Sequence, residues 1–153
     1  VYTGSKKLTD NIEGYDHDIG KLVLSPTRTY APVVKEIISK VGVSNIDGMI
    51  HCSGGAQTKV LHFVENKHII KDNLFNTPII FDLIQNESKT SWKEMYQVFN
   101  MGHRLEIYTD KLSAQKIIDI SASFNLEAKI IGRVEDYKSN KLSISGDKGN
   151  FEY

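Results

Sequence analysis

Apolar positions along the chain change period several times, and the changes mark out its elements. Residues 1–20 mix Thr, Gly, Ser, Asp and Asn with scattered apolar side chains and follow neither a helical nor a strand repeat. They read as a leader or interdomain linker ahead of a domain over 21–153. Residues 21–24 form a short apolar stretch, a candidate strand end broken by Ser25-Pro26. Val33, Val34, Ile37, Ile38 and Val41 then recur at helical spacing, with Pro32 at the start, where its missing N–H costs nothing, and Gly42 at the stop. Residues 46–51 have the make-up of a buried strand and run into Cys52-Ser53-Gly54-Gly55-Ala56, after which 57–64 read as a helix with Val60, Leu61 and Val64 on one face.

The second half continues in the same manner. Residues 66–72 suit a short strand, and Pro78 opens a helix through Ile79, Ile80, Leu83 and Ile84 that stops near Asn86. Ser91 with Glu94 three residues on forms a capping-box pattern before Met95, Tyr96 and Phe99. Residues 103–109 alternate as a strand, and Asp110 caps a helix over 111–125 whose Leu112, Ile117, Ile118, Ser121 and Phe124 form a core-facing stripe. Strands over 128–134 and 141–145 follow, and 146–153 shows no period. The sum is about five strands and four or five helices, a mixed α and β domain with one sheet and helices packed on it.

Composition narrows the functions available. The 153 residues are one domain's length, and 19 Lys plus Arg balance 19 Asp plus Glu to a net charge of zero. Proteins that hold many phosphates carry an excess of basic residues, so broad nucleic-acid or anionic-membrane binding is disfavoured. No apolar run approaches the ~20 residues of a membrane span, and no basic-then-apolar leader opens the chain, which sets a cytoplasmic protein as the expectation. The single cysteine, Cys52, excludes an intrachain disulfide. Val1 in place of Met suggests a chain processed or cut from something longer.

The candidate chemistry is modest when each group is weighed alone. None of the five histidines has a second histidine four residues away beside a Glu, so no metal site is expected. His51 ends a buried strand just before the glycines, and backbone hydrogen bonding there is the favoured reading. Cys52 reads as a small core hydrophobe. Ser53-Gly54-Gly55 stands between a strand and a helix, where free N–H groups bind anions, but it lacks the spacing of a Walker or dinucleotide loop; paired glycines also serve simply to relieve backbone strain. Thr27-Arg28-Thr29-Tyr30 offers either a guanidinium fork for a phosphate or a solvated arginine at a helix start. Trp92, Tyr96 and Phe99, at helical spacing, read as core.

Four blocks in order carry a resemblance. Leu24-Ser25-Pro26-Thr27-Arg28-Thr29-Tyr30-Ala31-Pro32-Val33, Met49-Ile50-His51-Cys52-Ser53-Gly54-Gly55, Glu94-Met95-Tyr96-Gln97-Val98-Phe99-Asn100-Met101-Gly102 and Gly132-Arg133-Val134 resemble the C-terminal domain of the phosphoribosylformylglycinamidine cyclo-ligase (aminoimidazole ribonucleotide synthetase) family, from about Lys21 to Ser145. Two positions depart: Ala56 replaces the third glycine of the family's run, and Arg104 stands where a further glycine is usual. The resemblance implies an α+β fold, a three-layer α/β/α domain with one mixed sheet and partial ferredoxin-like topology. It implies a ligase of purine biosynthesis that uses ATP and Mg2+, with most of the ATP site in an N-terminal domain absent here, so that this chain holds no cofactor tightly and is inactive alone. It further implies a homodimer acting on a small nucleotide substrate, with no nucleic acid or membrane partner. Thr27, Arg28, His51, Ser53, Gly54 and Gly55 would contact substrate or phosphate, Asn100, Met101 and Gly102 would shape the groove wall, and no catalytic residue is assigned. The competing readings are a domain of a formylglycinamidine synthetase or selenophosphate synthetase type enzyme, and a non-catalytic ligand-binding module.

Overall fold

In the computed structural model, residues 4–25 and 28–153 are described. Among them five α-helices, two 3-10 turns and six strands make an α+β fold with two sheets. β1 (Ile46–His51) and β3 (Leu105–Thr109) form an antiparallel pair. β4 (Gly132–Asp136), β2 (Lys67–Lys71), β5 (Lys141–Gly146) and β6 (Gly149–Glu152) form the second sheet in that order, with β2 and β5 parallel and the other pairs antiparallel.

Each sheet has its own core. α2 (Ala31–Val41) turns Val33, Ile37 and Val41 inward at i, i+4 and i+8, and α5 (Lys111–Ser123) answers with Ile117 and Ile120; together they bury the β1–β3 pair through Ile46, Met49 and Ile107. On the larger sheet, Ile69, Leu142 and Ile144 pack with Val60, Met101 and the Met95 and Tyr96 of α4 (Trp92–Val98). Trp92 and Phe99 pack partly buried against that core, as their helical spacing implied. Burying an aliphatic side chain such as Ile37 or Leu142 contributes roughly 1.5–3 kcal/mol, so the two clusters are the main source of stability. α3 (Ile79–Ser88) lies beside α4 with no fully buried residue.

Local signals fixed most element ends. Pro32 sits in the first turn of α2, and Gly42 ends it at φ 85°. The Ser91 hydroxyl accepts from the Glu94 N–H at 3.3 Å, and the Asp110 carboxylate accepts from the Leu112 and Ser113 N–H groups at 2.8 and 3.0 Å.

Several expectations are corrected. The apolar stretch over 21–24 belongs to a helix, α1 (Ile19–Val23), because Asp18 caps it through Lys21 N–H at 2.8 Å and Ile19 and Leu22, three apart, face inward. The helix expected over 57–64 is a 3-10 turn, Ala56–His62. In α5 the inward row is Ser113, Ile117, Ile120 and Ser121, a true i, i+4, i+7, i+8 stripe; Leu112 in the first turn is 80% exposed and Phe124 lies at the helix end in solvent. The unpatterned tail holds β6, because Asp147 and Lys148 make a two-residue hairpin between paired Gly146 and Gly149.

The expected single sheet is two sheets. Of the strand expected over 128–134, residues 128–131 lie outside any ladder, and their carbonyls bond to the loop after β2: that of Ile131 accepts from Asp72 and Asn73 N–H, each at 3.1 Å, and that of Ile130 from the Asn73 side chain at 2.7 Å. β4 begins at Gly132, and no ladder joins β3 to it.

Candidate functional site

The edge of the β1–β3 pair delivers the glycine turn. Pairing runs one residue past β1, since Cys52 N–H donates to the Arg104 carbonyl at 2.9 Å. Cys52 is buried, and burial first, then the Glu106 charge, push its thiol pKa up to about 12. It stays protonated at neutral pH, as the reading of a core residue requires. The chain then turns: Ser53 N–H donates to the His51 carbonyl and Ala56 N–H to the Ser53 carbonyl, both at 2.8 Å. Gly55 has φ 79° and Ala56 φ 40°, two successive left-handed residues. Ala56 therefore holds the conformation that favours the family's glycine while its methyl is fully buried.

Among the described residues the Gly54 and Gly55 N–H groups have no protein acceptor. Gly54 and Ser53 are exposed. Lys59, one turn into the 3-10 segment, reaches back so that its ammonium donates to the His51 carbonyl at 3.0 Å and the Ser53 hydroxyl at 2.8 Å. This cation at the turn was missed by sequence reasoning; its four-residue distance from Gly55, where its Cβ lies 3.6 Å from the position of an added methyl, was the available signal.

The second turn follows α4. The Asn100 side-chain oxygen accepts from Gly102 N–H at 2.9 Å, and the Asn100 carbonyl accepts from His103 N–H at 2.9 Å. Met101 at φ 51° and Gly102 at φ 94° are both left-handed, and the Pro78 ring stands 3.0 Å from where a Gly102 Cβ would be, so glycine is required there. Met101 itself is in the core. The two turns are joined from below: the buried Gln57 amide donates to the Asn100 carbonyl at 2.7 Å. No sequence pattern singled out Gln57.

His51, Ser53, Gly54 and Gly55 thus form one turn, and Asn100, Met101 and Gly102 the adjoining one. The segment carrying Arg28 approaches the first, since Tyr30 stands edge-on to His51 with ring centroids 6.4 Å apart, and Arg28 is exposed. Thr27 lies outside the described residues. Arg104, half-buried, contributes the carbonyl that holds Cys52. Open amides and a lysine at one turn suit a small anion. Among the described residues no three His, Cys, Asp or Glu side chains gather in a metal-binding group, and no helix is long and apolar enough to cross a membrane.

His103 supplies a pH-dependent element beside the second turn. Its Nε2 accepts from Phe75 N–H at 3.1 Å, so the neutral ring carries its proton on Nδ1, which has no partner among the described residues. Burial, the largest influence, lowers its pKa from the ordinary 6.5, Lys71 acting the same way and Glu106 against. The unfolded chain therefore binds more protons below that pH, and stability is present above it and lost as pH falls toward the folded-state value. His103→Gln, which keeps an acceptor for Phe75, is expected to flatten the fall in melting temperature between about pH 7 and 5; parallel profiles for the two proteins would refute this.

On this α+β domain the glycine turn, the Lys59 ammonium and the Asn100–Gly102 turn thus stand together. Over most of its length this chain is similar to phosphoribosylformylglycinamidine cyclo-ligases, as its motifs indicated. It is 33% identical to that of Methanococcus vannielii over 133 residues, 87% of this chain and 36% of the relative. The cyclo-ligases of Methanocaldococcus jannaschii and Syntrophus aciditrophicus are each 31% identical, over 88% and 89% of this chain and 37% and 39% of their own lengths. The chain thus spans little more than a third of these relatives. No family model matches it.

Proposed function

We propose that this chain is the C-terminal, substrate-groove domain of an ATP-dependent cyclo-ligase that converts formylglycinamidine ribonucleotide to aminoimidazole ribonucleotide in purine biosynthesis. The observation that carries this reading is the joining, through Gln57 and Asn100, of the two motif turns that the resemblance assigns to substrate. The open Gly54 and Gly55 amides, with Lys59 beside them, would take the ribose phosphate, Arg28 would join them from the segment that carries Tyr30, and His51 and Ser53 would line the approach. Thr27 joins them on the strength of the motif alone. On this reading the two sheets form the middle of a three-layer α/β/α domain with partial ferredoxin-like topology.

On this reading the phosphorylation of the formyl oxygen would draw on ATP with Mg2+ held by the two thirds of such an enzyme that this chain does not span. What this chain would contribute is binding and orientation, holding the amidine nitrogen close to the formyl carbon of the same molecule so that ring closure starts from a productive conformer. The enzyme would be a cytoplasmic homodimer. The test is ADP release by a full-length protein carrying this domain, supplied with ATP, Mg2+ and formylglycinamidine ribonucleotide. Substrate-dependent ADP release with formation of the aminoimidazole is expected. Substrate binding without turnover would indicate a binding module, and no binding would overturn the reading.

A further inference from the structure

Beneath the two turns lies a polar cluster that touches neither exposed turn surface. Lys71, the last residue of β2, and Glu106 on β3 are almost wholly buried and meet at 2.6 Å between Nζ and Oε1. β2 and β3 belong to different sheets and share no ladder, so this pair is a direct tie between them. The Lys71 ammonium donates twice more, to the Gln57 backbone carbonyl and to its Oε1, both at 2.9 Å, so its three protons are all placed. The other Glu106 oxygen accepts from the Tyr108 hydroxyl at 2.7 Å.

The ammonium also decides which way the Gln57 amide faces. Because Oε1 points at Lys71, the NH2 end must point the other way, where it donates to the Asn100 carbonyl at 2.7 Å. With a neutral apolar residue at 71, Oε1 would be buried without a donor, and the amide would be held at one end only, by the Asn100 carbonyl. A buried ion pair is a weak means of stabilisation, since well-packed apolar residues of similar volume often do as well or better. An apolar pair could tie the sheets together but could not orient an amide.

We propose, resting on the reading that the two turns bind the nucleotide substrate, that Lys71, Glu106 and Gln57 are positioning residues. The buried pair orients the Gln57 amide, and the amide locks the Asn100–Gly102 turn to the glycine turn at the separation the ligand requires. None of the three touches the ligand.

The experiment compares the full-length protein with Lys71→Met/Glu106→Leu, which removes both charges and leaves neither unpaired, and with Gln57→Met, which keeps the pair and removes the amide. Backbone amide hydrogen exchange and the steady-state constants for formylglycinamidine ribonucleotide are read on each. Exchange at the hydrogen-bonded amides of Ala56, Thr58, Gly102 and His103 is expected to quicken by roughly tenfold while β5 and β6 stay as protected as in the wild type. KM is expected to rise on the order of tenfold, with kcat changed much less. Wild-type exchange at both turns would overturn the proposal, as would loosened turns with unaltered KM. Should the double variant fail to fold, Gln57→Met carries the same two expectations. The exchange comparison needs no ligand, so an absence of nucleotide binding by the wild type would sink the functional reading, and with it the ligand-spacing role, while exchange alone would still show whether the lock exists.

Discussion

Lys71→Met alone is expected to destabilise the fold by roughly 3–5 kcal/mol, because it leaves the Glu106 carboxylate buried with one hydroxyl partner and no cation. It also strips Gln57 of the donor to both of its oxygens. A domain of this size has about 5–15 kcal/mol to lose, so the variant should sit near the edge of folding at ordinary temperature. Denaturant unfolding checks the magnitude, and removing Glu106 as well, as Leu, should recover most of the loss. A single variant within about 1 kcal/mol of wild type would mean that water reaches Glu106 and that the pair is not buried in solution.

Gly132→Ala is the second large effect. An alanine methyl at that position would lie 1.9 Å from the Ile70 carbonyl oxygen, 2.8 Å from its carbon and 2.9 Å from the Lys71 Cα. All three are backbone atoms of the neighbouring strand, where Gly132 pairs directly with Lys71, so no side chain can swing aside. β4 has to move off β2, at an expected loss of about 3 kcal/mol or more. Thermal unfolding followed in the far ultraviolet measures it; a shift of only a degree or two would show that β4 is held loosely. Since Gly132 abuts Lys71, the two substitutions should not combine additively, and a thermodynamic cycle would show the coupling.

β1, α2 and the capped starts of α4 and α5 were legible because their signals are local: a run of apolar residues, a proline and glycine at the ends, a Ser or Asp whose oxygen meets the next N–H groups. α1 was not, since two inward residues in a single turn make no period, and β6 was hidden because its pattern is broken by the hairpin turn next to it. The two-sheet arrangement depends on which strands meet across distant parts of the chain, which is a long-range matter.

The candidate site divides in the same way. The glycine turn and the Asn100–Gly102 turn were marked by their residue types, and the required glycine at 102 and the strained alanine at 56 correspond to left-handed backbone. Gln57, Lys59, Lys71 and Glu106 carried no mark. A lysine in a strand and a glutamate in the alternation of another are read as solvent-facing, and only the closing of β2 against β3 turns them into a buried pair. Chemistry assembled across sheets in this way leaves no fixed spacing in sequence.

The claim at the centre of the account is that the two turns make one nucleotide site. Titrating formylglycinamidine ribonucleotide into the full-length protein, with hydrogen exchange read at every amide, tests it directly. The account predicts slowed exchange at residues 53–56 and 100–103 together, with the β5–β6 hairpin unaffected. Protection confined to one turn, or appearing only elsewhere in the chain, would contradict it.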